Sequence, residues 1–324
     1  MKRRVGKMAR KVELEFDRDR AGEIFIFAIE AFKNRLLGFD SLSQPEVVFR
    51  PDNFSYGSLE HRLWLFFSGA VTRFGQASYQ AIEKFRDSVA ADSRIINPQS
   101  DFLDVNYQQL LAGVMAFVPA DRPLGREGNL RIEGWKENLA ILRDEFNGDP
   151  AEVILRAERS RKGLIHSLQG KFYGIGSKIA QLIIIWFQDV DWPYRQEDWH
   201  EIRQFSFTPV DIWFLRLFRQ WGIITKWNTD QHDVVRKVVS DFTADLCREL
   251  AIEHGILSQA VWHCGRAICH NRPKNPNIVG AYCWHNCPFY KYCDCICTGS
   301  KYKIDGTMNW DNPHHRLVFP FDQF

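Results

Sequence analysis

Apolar residues recur at helical spacing along most of the chain, so that one face of each segment is apolar and the other polar. This pattern predicts helices over residues 22–37, 59–68, 77–90, 104–117, 134–146, 150–159, 162–169 and 209–222, with one helix or two over 229–254. Residues 11–16 alternate apolar and polar and predict a short strand. Residues 41–57, with Pro45 and Pro51, form a connector, and 119–128 a loop. Asn147-Gly148-Asp149-Pro150 stops one helix and starts another. No repeat of 20 to 50 residues is visible, which argues against a solenoid. The expectation is an all-α protein.

One stretch breaks the amphipathic rule. From Leu168 the chain reads Leu-Gln-Gly-Lys-Phe-Tyr-Gly-Ile-Gly-Ser-Lys and then runs into the apolar Ile-Ala-Gln-Leu-Ile-Ile-Ile-Trp-Phe. Gly174 and Gly176 allow a sharp turn and a close approach of backbone to a ligand, so a hairpin feeding a helix is predicted. The first amides of such a helix lack partners within it and carry its positive dipole end, which suits a phosphate. Lys178 follows two residues later, and Thr208-Pro209-Val210-Asp211-Ile212-Trp213 opens a further helix. By residue type Asp211 is an N-cap candidate.

Composition narrows the picture. The chain has 324 residues, 45% of them hydrophobic and 14% aromatic, with 11 Trp, so it folds into one large or two medium domains. Its net charge is only +2, yet Arg156, Arg159, Arg161, Lys162, Lys171 and Lys178 gather before and within the hairpin, as phosphate ligands or as a solvated helix face. The basic residues at the start read as an arm. The longest apolar run, 182–187, is far too short to cross a bilayer, and no apolar core follows the basic start, so an intracellular protein is expected.

Seven of the eight cysteines fall between Cys264 and Cys297. In an intracellular chain such crowding reads as metal binding rather than disulfides. Cys269, Cys283, Cys287 and Cys293 are spaced C-x13-C-x3-C-x5-C. Four thiolates suit a [4Fe-4S] cluster or a tetrahedral Zn²⁺, and the spacing alone leaves both open.

Together these motifs resemble the helix-hairpin-helix DNA glycosylases of the endonuclease III type. That family has a Gly-Val-Gly-x-Lys hairpin, a Val-Asp segment ending in Arg, and a cysteine loop approached by a His-Gly-Arg-like sequence. Here Gly174-Ile175-Gly176-Ser177-Lys178, Val210-Asp211 to Arg216, and Cys264-Gly265-Arg266 to Cys293 stand in that order. The resemblance covers about 59–293. The first cysteine gap is longer than the family's, and the middle one is longer by one residue.

The resemblance implies a fold of two lobes: a helical barrel over 58–190 ending in the hairpin, an inserted loop over 191–208, and a helical lobe with the cluster loop over 209–297. Residues 1–57 would pack with the second lobe, and 298–324 would be a tail. It implies a monomer that excises a damaged or modified base from double-stranded DNA lying across the cleft, in the cytoplasmic nucleoid or the nucleus. Lys178 from one lobe, as nucleophile and Schiff-base former in β-elimination, would face the catalytic carboxylate of Asp211 from the other.

Gly174, Gly176, Ser177 and Lys171 would hold phosphates at the hairpin. Arg266, Arg272, Lys274 and Lys291 would do so beside a structural [4Fe-4S] cluster on Cys269, Cys283, Cys287 and Cys293, leaving Cys264, Cys295 and Cys297 spare. The family's strand-filling glutamine corresponds to Ala70, so that role is not carried over. Trp192, Tyr194 and Trp199 of the insert either wall a base pocket or pack on the core. The rival expectations are a DNA-binding protein without chemistry and a zinc-stabilised nucleic-acid adaptor.

Overall fold

The computed structural model describes residues 14–36, 50–72, 78–115, 132–188, 202, 208–227, 232–269 and 283–293. In chain order its elements are β1 (Leu14–Phe16), α1 (Arg18–Lys33), α2 (Leu59–Thr72), α3 (Ser78–Ala91), α4 (Tyr107–Met115), α5 (Ile132–Phe146), α6 (Pro150–Leu155) and α7 (Arg161–Leu168). Then come α8 (Ser177–Gln188), α9 (Ile212–Gln220), β2 (Ile224–Trp227), α10 (His232–Glu249) and α11 (His254–His263). Short 3-10 turns cover Ser93–Ile96 and Tyr290–Tyr292, and a π-helical turn covers Cys264–Cys269. The described chain is mostly helical, as the periodicity predicts. It also holds one antiparallel pair of strands, with Leu14 opposite Trp227.

The chain divides into two compact units, Met1–Leu42 with Val210–Phe324, and Ser43–Pro209. The boundary expected at residue 57 falls earlier, because Phe54 is buried in the core of the second unit.

The first unit is built on α1. Asp17 caps it by accepting from Arg20 N–H at 3.0 Å, so the helix starts four residues before the apolar pattern does. Ala21, Ile24, Phe25, Ala28 and Phe32 form its buried stripe. The Arg20 guanidinium donates to the carbonyls of Trp221 and Tyr292, and Tyr292 Oη donates to Glu23 at 2.8 Å. Trp221 stacks on Phe289 at 4.5 Å. These bonds fasten the segment between Cys287 and Cys293 to α1 and to the end of α9. The strand β2 was not legible in advance, since four residues with two exposed carry too little alternation.

The second unit packs α2, α3, α5 and α8 around Trp64, Phe67, Phe85 and Trp135. Trp135 Nε1 donates to Ile95 O at 2.7 Å, so its one polar atom is satisfied inside the core. Ser68, Ala70 and Val71 are buried in α2, and Ala70 therefore offers nothing to a DNA strand.

A buried ion pair braces this unit. Arg62 Nε donates to Asp149 Oδ1 at 2.9 Å, its Nη2 to Oδ2 at 2.5 Å, and its Nη1 to Gly57 O at 2.7 Å. Asp149 also caps α6 through Ala151 N–H at 2.9 Å. Removing one partner strands the other charge away from water, which costs about 3–5 kcal/mol. Asp149→Ala is therefore expected to lose that much stability in urea unfolding, and Arg62→Met with Asp149→Leu to regain the share due to the stranded charge but not the roughly 1 kcal/mol of the α6 cap. A loss below about 1 kcal/mol in the single variant would show that the pair is no brace.

Candidate functional site

The hairpin joins α7 to α8. Ser160 caps α7 by accepting from Gly163 N–H at 2.9 Å, and Gln169 N–H bonds back to Ile165 O at 2.8 Å to end it. Phe172 and Ile175 are buried, and Phe172 lies edge-on to Phe66 at 5.0 Å, so the turn is pinned to the core from beneath. Gly174 adopts φ +81°, a conformation that a side chain disfavours.

Gly176 has an ordinary φ, and a Cβ built on it would meet nothing within 4 Å. Packing does not demand a glycine there, and the open space lies at the start of α8, where unpaired amides stand. Lys178 is exposed in the same first turn, and the Ser177 hydroxyl accepts from Gln181 Nε2 at 3.1 Å.

The basic residues ahead of the turn are less available than their number suggests. Lys171 Nζ pairs with Glu145 at 2.6 Å and sits 4.8 Å from the Phe146 ring centroid. Arg156 pairs with Glu152, and Arg159 donates to Leu155 O at 2.8 Å and to two neighbouring carbonyls at the C-terminal end of α6. Arg156 and Arg159 thus also finish helices. An exposed pair such as Lys171–Glu145 contributes little, about 0–1 kcal/mol, so it holds Lys171 only weakly.

Asp211 belongs to the first unit and is the N-cap of α9. Its Oδ1 accepts from Trp213 N–H at 2.8 Å and from Phe214 N–H at 3.1 Å. The helix therefore begins at Ile212, three residues after Pro209. Trp213 lies against Gly265, where an added Cβ would stand 2.6 Å from the Trp213 Cβ. The turn that carries Asp211 thus rests directly on the cysteine segment.

In that segment Cys264, Cys283, Cys287 and Cys293 are buried in one apolar cluster, and the half-buried Cys269 packs against it. A π-helical turn sets residues i and i+5 over one another, which carries Cys264 onto the side of Cys269. Cys264 Sγ lies 3.9 Å from Cys287 Sγ. Burial raises the Cys264 thiol well above its usual range, and thiol hydrogen bonds with Cys269 and Cys287 add to this.

Cys264 was left out of the ligand set on sequence, and its contact with two of that set is visible only in the fold. The one signal available was its five-residue offset from Cys269. The donor chemistry, thiols alone in an apolar shell, fits a soft metal centre, although among the described residues no three His, Cys, Asp or Glu side chains form a ready-made metal cage. Cys247, in α10, is a buried thiol of the same apolar cluster, pushed up to about 12 by burial.

Arg266 is half-buried on the π-helical turn. Lys291 is exposed, with its ammonium over the rings of Phe27 and Tyr292 at 4.8 and 4.6 Å. Arg272, Lys274, Cys295, Cys297, Trp192, Tyr194 and Trp199 lie outside the described residues. Among the described residues no helix is long and apolar enough to cross a membrane. Compared with protein-family models, with curated proteins and with solved structures, the chain matches none.

The cap gives Asp211 a measurable structural share. Asp211→Ala removes both acceptor bonds and is expected to cost about 1 kcal/mol in thermal or urea unfolding, whereas Asp211→Asn, which caps equally well, should stay within a few tenths. A loss of no more than a few tenths in Asp211→Ala as well would mean that the cap contributes nothing.

Proposed function

We propose that this chain is a DNA glycosylase with abasic-site lyase activity. The observation that carries the reading is the hairpin: an exposed turn opening α8, with vacant space over Gly176 and the amine of Lys178 in the same helical turn. Such a turn can grip a phosphate with backbone amides while presenting a nucleophile beside it.

The target base must first leave the stack. The Lys178 amine, once its ammonium proton has passed to solvent, then attacks C1′ of the sugar. The C1′–N bond breaks, and its electron pair leaves with the base, which takes up a proton. The amine sheds its own proton as the C1′–N bond to lysine forms, and opening of the sugar ring yields an iminium. Removal of a C2′ proton expels the 3′ phosphate, and water frees the lysine. Positive charge builds on the sugar in the first step, and by the family resemblance the Asp211 carboxylate would stabilise it.

Cys269, Cys283, Cys287 and Cys293 would hold a [4Fe-4S] cluster. Bound there, the cluster would cross-link the loop and position it on DNA, and base removal would not pass through it. Zinc is the second reading, since thiols gathered in an apolar shell also suit a tetrahedral Zn²⁺.

Borohydride should trap the wild type on abasic-site duplex and leave Lys178→Ala uncaptured, and no covalent product from the wild type would remove the lyase assignment. Asp211→Asn should bind duplex yet lose base excision by at least about 100-fold, the scale on which a transition-state electrostatic contact acts. Unchanged excision would move the carboxylate elsewhere. Metal analysis of the purified chain should return iron and sulfide in equal amounts, whereas stoichiometric zinc would replace the cluster.

A further inference from the structure

The hairpin is held from the side as well as from beneath. Asn138, in α5, is fully buried, and its amide makes two bonds to a single residue of the turn. Its Nδ2 donates to Tyr173 O at 2.9 Å, and its Oδ1 accepts from Tyr173 N–H at 2.7 Å. A primary amide that donates and accepts in this way stands in for a neighbouring strand and satisfies both main-chain groups of Tyr173 at once.

One helical turn earlier is Gly134. A Cβ built there would lie 2.4 Å from the Tyr173 ring, so the ring rests on bare helix backbone. Residues 134 and 138 share a face of α5, and both act on Tyr173. That residue immediately precedes Gly174, where φ turns positive.

Neither contact is needed to bury α5, which already anchors itself through Trp135, Leu139 and Leu142. Main-chain groups of a surface turn are ordinarily left to water. Here a buried amide, costly to place unless both its ends are paired, is spent on one such residue. The result is a turn whose main chain and side chain are both held just ahead of the amides of α8.

We propose that Asn138 and Gly134 are positioning residues. They lock Tyr173 and so set the direction in which residues 174–178 are presented to a DNA phosphate. The phosphate half of this inference rests on the DNA reading above. A grip made of backbone amides works only if their direction is set beforehand, since otherwise binding must order the turn.

The test uses the full chain and the variants Asn138→Asp, Asn138→Leu and Gly134→Ala. Hydrogen exchange of the peptide covering residues 169–178 is read by mass spectrometry, and binding of an abasic-site duplex is read across a potassium chloride series. Expected are exchange in the turn faster by about tenfold or more, retained protection in the second half of α8, and weaker DNA binding by about tenfold. The salt dependence should become shallower by about one phosphate contact.

Wild-type exchange and wild-type salt slope in folded Gly134→Ala and Asn138→Asp would overturn the proposal. So would protection lost throughout the chain with an unchanged slope, since that pattern marks plain core support. A wild type that binds no duplex would sink the DNA reading and the phosphate half with it. The exchange arm alone would then decide whether Asn138 holds the turn.

Discussion

From Ile179 to Phe187 every residue of α8 except Gln181 is buried, so the helix has no polar face to offer to water. Such a helix must be wrapped by others, and each large aliphatic or aromatic side chain it hides stabilises the fold by about 1.5–3 kcal/mol. Among the residues whose burial is described, its first turn, Ser177 and Lys178 with Gly176 ahead of it, is the part most open to solvent. The helix end that carries unpaired amides and positive dipole is thus forced to the surface by the insolubility of the rest. The turn before it is then fixed on two sides, by Phe172 and Ile175 from the core and by Asn138 from α5.

The first unit follows a related logic at the start of α9. Asp211 closes that helix, and Trp213, whose amide it binds, lies on Gly265 beside the buried thiols. A change in the packing of the cysteine segment would therefore reach the Asp211 carboxylate through one aromatic contact. In the proposed function this would give a metal centre a structural duty with a defined route. It would hold the segment on which the carboxylate-bearing turn rests, and the chemistry would stay with the side chains of the protein.

Charge behaves differently from what its distribution along the chain suggests. Arg156, Arg159 and Lys171 crowd ahead of the hairpin in sequence, yet two of them finish helices and the third pairs with Glu145. Local density of Lys and Arg marks a helix surface as readily as a phosphate site, because carboxylates and carbonyl ends compete for the same donors. What distinguishes the hairpin is not the number of cations but the unfilled space over Gly176.

Most helix positions, the hairpin and the cap role of Asp211 were legible in the chain, because each rests on local periodicity or turn chemistry, whereas the helix α11 over His254–His263 was not anticipated. The start of α1 at Arg18 and the strand β2 were not, since capping by Asp17 and pairing with Leu14–Phe16 carry no apolar signal of their own. Tertiary structure alone brought Cys264 to Cys287, Trp213 to Gly265 and Asn138 to Tyr173. Each of these joins residues 23 to 52 positions apart. Contacts of that kind depend on which helix faces meet, and a face is chosen by the sum of all the burial in a core, not by any residue in it.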